Sequence, residues 1–228
     1  MTDMSDAFLD AALQHVPFDG WSEATFVAAA ADVDAPLAQA RALFPRGAVD
    51  LAMAFHRRAD RALALALSET DLATMRFRER VAHAVKLRLE LVAGEKEAVR
   101  RGATLFALPI HAADGAKLMW ETADVIWTAL GDSSDDLNWY TKRATLAGVY
   151  SATVLYWLGD QSEGHIATWA FLDRRIGDVM KIEEIKAKVR NSAMLKPFAT
   201  GFERFAASVR APRAKGQDDL PGRWTPPT

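Results

Sequence analysis

Apolar residues in this chain recur at intervals of three and four almost from end to end, and nowhere do they alternate over the length of a strand. That period puts an apolar stripe on a helix and scatters it on a sheet, so the fold class it dictates is all-α. Leu9, Leu13 and Val16 share one face of a first helix over about 5–16, and Pro17, Asp19 and Gly20 read as a turn. Ser22 is an N-cap for a second helix, 22–30, with Trp21 placed to staple onto Phe26. Asp34 is expected to cap a third, 35–44, which Pro45 stops. Longer helices follow over 48–67, 72–92 (capped by Asp71), 95–107, 113–130, 136–158 and 163–190, with Gly94, Pro109, Gly131 and Gly159 as breaks. A last candidate, 192–209, places Phe198, Phe202, Phe205 and Val209 on one stripe, and the Pro/Gly-rich stretch after Ala211 is expected to be disordered.

Three short helices ahead of longer ones outline a helix-turn-helix head, residues 1–45, on a helical body, 46–190. A separate amphipathic helix, 191–211, and a tail, 212–228, complete this division. Charge argues against a DNA-reading head. Residues 1–40 hold seven carboxylates and no lysine or arginine, whereas binding a duplex needs cations against phosphates. Arg41, Arg46, Arg57 and Arg58 are the candidates for any basic patch there. Residues 181–215 reverse the balance, nine basic against three acidic, so the two ends either meet different partners or are solvated surfaces of opposite sign.

Several chemistries fail on residue content. With no cysteine in the sequence, disulfides, thiolate metal sites and cysteine nucleophiles are excluded. His15, His56, His83, His111 and His165 form no pair at helical metal-ligand spacing, and the phosphate-binding glycine loop is missing. Residues 131–136, GDSSDD, read as a turn and N-cap rather than a calcium loop, because the central glycine and the twelfth-position acid are absent. No catalytic group or metal is therefore assigned. No window is apolar enough to span a membrane, and the acidic N-terminus is unlike a mitochondrial leader.

Aromatic residues carry the positive signal. Trp120, Trp127, Trp139, Trp157 and Trp169 lie in the body with Tyr140, Tyr150 and Tyr156, either as bulky core or as the lining of a large apolar pocket. Trp139 and Tyr140 are neighbours, so one of them is expected to point away from the core. The block NWYTKR, 138–143, then offers aromatic surface beside two cations, which is protein-interface chemistry. Lys196, Phe198, Phe202, Arg204 and Phe205 suit a helix lying on an anionic membrane, or one packed on the body or a second subunit.

The stretch KLMWETADVIWTALGDSSDDLNWYTKRATLAGVYSATVLYWLGD, 117–160, resembles the COQ9 family of ubiquinone biosynthesis proteins. FALPIHAADGAKLMW, 106–120, and WAFLDRRIGDV, 169–179, extend the likeness, and LDAALQHVPFDGWS, 9–22, matches more loosely. The resemblance implies a TetR-like fold of about ten helices that dimerises through the body. It implies an accessory role without catalysis of its own: no cofactor beyond a bound isoprenoid lipid or phospholipid, and no nucleic-acid partner. The lipid-lining set it points to is Met119, Trp120, Trp127, Leu146, Tyr150 and Trp169. A quinone-ring hydroxylase of the COQ7 type is the implied partner, docking on Asp136, Asn138, Trp139, Tyr140, Lys142 and Arg143. Leu137 stands where the family often has phenylalanine. The N-terminus fits a bacterial member, expected in the cytoplasm on the inner face of the plasma membrane. The competing readings are a TetR-like ligand-responsive transcription regulator and a helical scaffold with a filled interior.

Overall fold

The computed structural model describes residues 4–191, with side chains to residue 181. They form α1 (Met4–Asp19), α2 (Glu23–Asp32), α3 (Leu37–Leu43), α4 (Ala48–Glu69), α5 (Phe77–Glu90), α6 (Lys96–Phe106), α7 (Ala112–Ala129), α8 (Leu137–Gly159) and α9 (Ile166–Asn191). Single 3-10 turns join some of them, and there is no strand among the described residues. The expected all-α class holds. The candidate helix 192–209, with Lys196, Phe198, Phe202, Arg204 and Phe205, and the tail 212–228 lie outside the described residues.

Periodicity located the helices well and their ends less well. α1 runs through Pro17 to Asp19 instead of turning there. A proline in the last turn forfeits only one hydrogen bond, and Gly20, with φ +67°, closes the end by donating to the Val16 carbonyl at 2.9 Å. Ser22 caps α2 as expected, accepting from the Thr25 N–H at 3.3 Å. Asp34 does not cap α3. It sits in the left-handed region at φ +51° just beyond α2, where aspartate is tolerated, and Pro36 takes the N-cap position without a side-chain bond. Asp71 caps a 3-10 turn, Leu72–Thr74, and α5 starts only at Phe77, where Glu79 accepts from the Arg76 backbone N–H at 2.8 Å. The α8–α9 link is organised by Asp160, which accepts from the backbone N–H groups of Ser162 at 2.8 Å and Thr168 at 2.9 Å. Bonds from Thr168 and Ser162 hold its carboxyl well below the ordinary carboxylate range.

The core is continuous from the first helices into the last. Phe8 lies between Phe26 and Phe44, with ring centroids 5.2 and 5.4 Å away. Trp21 does not staple onto Phe26. It turns into the body, packs on Phe55 at 5.7 Å and donates its indole N–H to the Ala98 carbonyl at 3.0 Å, tying the α1–α2 corner to α6. α4 is the central helix, touching α1, α2, α5 and α7, and it buries Leu51, Phe55, Leu63 and Leu67. α8 closes the other side with Leu146, Tyr150 and Trp157.

Charge enters this core where α4, α5 and α7 meet. Arg88 of α5, 2% exposed, donates from Nε to Asp60 of α4 at 2.7 Å and from Nη2 to the His56 carbonyl at 3.0 Å. Thr122 of α7 donates its hydroxyl to the same carboxylate at 2.9 Å. With that one proton committed, Thr122 accepts from His56 Nε2, 2.7 Å away. Burial pushes His56 well below the usual histidine range, the nearby Arg88 charge adds to this, and the ring is neutral at pH 7.

Removing one partner of such a pair strands the other charge. Asp60→Ala is therefore expected to destabilise the protein by about 3–5 kcal/mol in urea denaturation. The double variant Asp60→Leu/Arg88→Met recovers most of that loss.

Candidate functional site

Two apolar hollows and one surface patch are formed by the body helices. The first hollow, of about 310 Å³, lies among α4, α5, α6, α7 and α8. Phe55, Leu89, Val99, Phe106, Met119 and Val154 supply apolar wall, and His56, Arg88 and Tyr150 gather as a polar pole. Its shape depends on Gly115, where an added Cβ would come 2.8 Å from the Phe106 Cβ, so α6 and α7 approach closely only because a glycine is there. Exposed residues at its rim are Ala107, Ala112, Ala116 and Leu155, and the α6–α7 link beyond carries Leu108 and Ile110, 47% and 80% exposed.

The second hollow is a groove of about 360 Å³ among α5, α7, α8 and α9. Phe77 stacks on Trp127 at 5.6 Å along one side, and Val81, Leu146, Ile176 and Met180 continue the apolar surface. Asn138, Thr141 and Lys142 close its end nearest the start of α8.

The six residues expected to line one lipid site are therefore divided. Met119 and Tyr150 face the first hollow, and Trp127 and Leu146 face the groove. Trp120 lines neither: its ring lies 5.7 Å from Trp139 and 6.2 Å from Tyr140. Trp169 also stands apart, donating to the Gly164 carbonyl at 2.8 Å under the Lys86 ammonium. His56, Asp60 and Arg88 were not singled out from sequence. The signal was present, because Asp60 and Arg88 occupy positions on otherwise apolar helical stripes, Phe55–Leu63–Leu67 and Val81–Val85–Leu89.

The patch at the start of α8 is a braced junction. Asp136 caps the helix, accepting from the Asn138 N–H at 2.8 Å and from its amide side chain at 2.9 Å. Trp139 and Tyr140 do not diverge. Both are half-buried, their rings 4.8 Å apart in an edge contact, because both lean on Trp120 of α7. Arg143 is buried, bonded to Asp124, to Asp132 at 2.9 Å and to the Trp139 carbonyl at 3.2 Å, with its guanidinium 4.0 Å above the Trp139 ring. Lys142 bonds Asp132 at 2.7 Å and Ser134 at 2.6 Å. Asp136 and Asn138 are exposed, so what this junction offers outward is two polar groups beside two aromatic edges.

The candidate DNA-facing cations are also paired. Arg41 is paired with Glu23, Arg46 with Asp50 and Asp114, Arg57 with Glu121 and Arg58 with Asp10. Among the described residues, no group of three or more His, Asp or Glu side chains is arranged to hold a metal, and no helix is long and apolar enough to cross a membrane.

Residues 112–183, which contain α7, α8, the patch, one wall of the first hollow and most of the groove, match the family model described as COQ9. Over this segment the chain is similar to the COQ9 family. The ubiquinone biosynthesis protein COQ9, mitochondrial, of Drosophila melanogaster is 33% identical over 179 residues, covering 77% of this chain and 55% of that protein. The COQ9-A protein of Xenopus laevis is 31% identical over 196 residues, 83% of this chain and 62% of its own length. The Homo sapiens COQ9 protein is 29% identical over 191 residues, 81% and 60% respectively. The chain thus spans little more than half the length of the curated relatives it matches. A TetR transcriptional regulator from Nitrosomonas europaea superposes with a TM-score of 0.62 at 23% identity, over 76% of this chain and 96% of that one. That likeness establishes the TetR-like fold.

Asp132 gives the junction a pH dependence. Burial alone would raise its carboxyl, but bonds from Lys142, Ser134 and Arg143 outweigh that and bring it down to about 2. A depressed carboxylate stabilises the fold above its unfolded value, and that contribution is lost as pH falls from about 4 toward 2. Asp132→Asn is expected to be less stable at pH 7 and to show a shallower loss across this window, measured by thermal unfolding at a series of pH values.

Proposed function

We propose that this chain is a non-catalytic accessory protein of ubiquinone biosynthesis, which binds an isoprenoid quinone intermediate at a membrane and presents it to the late ring hydroxylase. The observation that carries this reading is the COQ9 match at 112–183, which contains α7 and α8, two helices that line both apolar hollows, and the braced aromatic junction. Exposing the polyprenyl tail of such an intermediate to water costs about 0.8 kcal/mol per CH₂, so extraction from a bilayer requires an apolar surface to replace the lipid. Hollows walled by Phe55, Val99 and Met119, and by Phe77, Trp127 and Ile176, are surfaces of that kind.

The membrane contact is assigned on sequence to Lys196, Phe198, Phe202, Arg204 and Phe205, where apolar rings alternate with cations suited to anionic headgroups. The location this implies is peripheral, on the inner face of a bacterial plasma membrane. A hydroxylase of the COQ7 type is assigned to the Trp139–Tyr140 junction, and a second copy of the chain to α8 and α9. The paired state of Arg41, Arg46, Arg57 and Arg58 speaks against the transcription-regulator reading.

Native mass spectrometry of the purified protein is expected to show a copurified isoprenoid lipid, which Ala103→Trp on the wall of the first hollow displaces. Flotation is expected to show binding to liposomes. Absence of lipid together with absence of flotation refutes the lipid reading. The partner is tested separately: Trp139→Ala should weaken hydroxylase binding by about thirtyfold, the size of an interface hot spot, with the helical circular dichroism retained. An unchanged affinity refutes the docking role.

A further inference from the structure

The groove among α5, α7, α8 and α9 leaves apolar side chains at the surface of the protein. Phe77 is 48% exposed and Met180 42%, beside Trp127, Leu146 and Ile176. A contiguous apolar surface of this kind marks a place where something else packs. Asn138 and Lys142 close one end of it and also belong to the aromatic junction, so an occupant of the groove borders that junction. The wall on the other side, Ile176, Val179 and Met180, belongs to α9, which runs on to Asn191.

We propose that the groove seats the chain's own segment 192–209, with Phe198, Phe202 and Phe205 packed in it away from a membrane and withdrawn when those rings enter a bilayer. The inference rests on the membrane contact assigned above to this segment, and adds a second, competing site for the same three rings. Attachment to a membrane then uncovers the groove beside the Trp139–Tyr140 junction.

Reach, size and charge select this occupant. From Met180 to Asn191 is about 16 Å of helix at 1.5 Å per residue. Residues 192–197, if extended, span roughly 20 Å, enough to bring Phe198 back level with Met180. The phenylalanine stripe thus begins within reach of the α9 wall. An apolar cavity of about 150 Å³ holds one benzene ring. A groove of about 360 Å³ therefore has room for two phenyl rings, with the third against the exposed face of Phe77. Phe77 and Trp127 already stack there, and such a pair offers faces and edges to further rings. An anionic lipid headgroup suits the groove less well, because its cations are engaged: Lys142 with Asp132 and Ser134, and Arg78 with Asp173. Tethering favours this segment over the same chemistry arriving from elsewhere, since a short linker holds it in the millimolar range of effective concentration.

The sequence has no cysteine, so one introduced pair reports the contact in the full chain. Thr145→Cys lies on the exposed edge of the groove, and Ala206→Cys flanks the stripe without removing a phenylalanine. A short bismaleimide is expected to join them within one chain at least about tenfold faster than it joins Ala206→Cys to Ala31→Cys on the head, as a seated segment requires. Adding Phe202→Ser and Phe205→Ser should abolish that preference, with thermal melts showing that the body is folded. Phosphatidylglycerol liposomes should abolish it too. Equal rates to Thr145→Cys and Ala31→Cys would overturn the inference, and a product of twice the chain mass would give the groove to a second copy instead. A cross-link that persists undiminished on liposomes would overturn the competition. Flotation of the same variants separates the two readings. Flotation without the preferred cross-link leaves the membrane contact standing and removes the seat, whereas the cross-link without flotation removes the membrane contact.

Discussion

The Asp60–Arg88 pair is the constraint around which the body is arranged. It lies where α4, α5 and α7 meet, and every polar atom brought into that dry centre must find a partner there. Asp60 takes Arg88 and Thr122, Thr122 takes His56, and the His56 carbonyl returns to Arg88. Such a ring has little tolerance for sliding: shifting α5 by one residue would withdraw Arg88 and leave a carboxylate buried alone. The apolar core fixes that these helices pack, and the polar ring fixes their register.

The residues matching the COQ9 model and those outside it divide the work. α7 and α8 supply the aromatic junction and one wall of both hollows. α4, α5 and α6 lie outside the matched segment and supply the opposite wall of the first hollow, including Arg88 and the close approach of Phe106 to Gly115. The head is joined to this arrangement through Trp21, whose indole reaches the α6 backbone and whose ring rests on Phe55 beside the hollow. Through this contact the head is packed against the body.

Much of this was legible in the sequence. Helical spacing located nine helices among the described residues, because each must bury a stripe and the stripe is written in the spacing. It was less informative at the junctions. Asp34, Asp71 and Trp21 each had a sound local role available, as cap or staple, and each was claimed instead by a turn conformation or a distant backbone group. The site was half legible for a related reason. Spacing tells which residues share a face but not which helix that face meets, so Met119 and Trp127, two turns apart on α7, were assigned to one pocket and line two. Asp60 and Arg88 on apolar stripes were the visible sign of a buried polar pole, and their meeting across α4 and α5 required the fold to be seen.

The junction at the start of α8 has a consequence for how anything could approach it. Its two cations are spent inward on Asp132 and Asp124, and the neighbouring rings lean on Trp120. Long-range attraction depends on uncompensated charge, and the charge left over here is the exposed carboxylate of Asp136, whose bonds are to the neutral Asn138. A protein that settles here would be drawn in by its own cations and not by its carboxylates, and would stay through desolvation of the aromatic edges. A block whose residue names suggest a basic site thus presents the opposite sign at its surface.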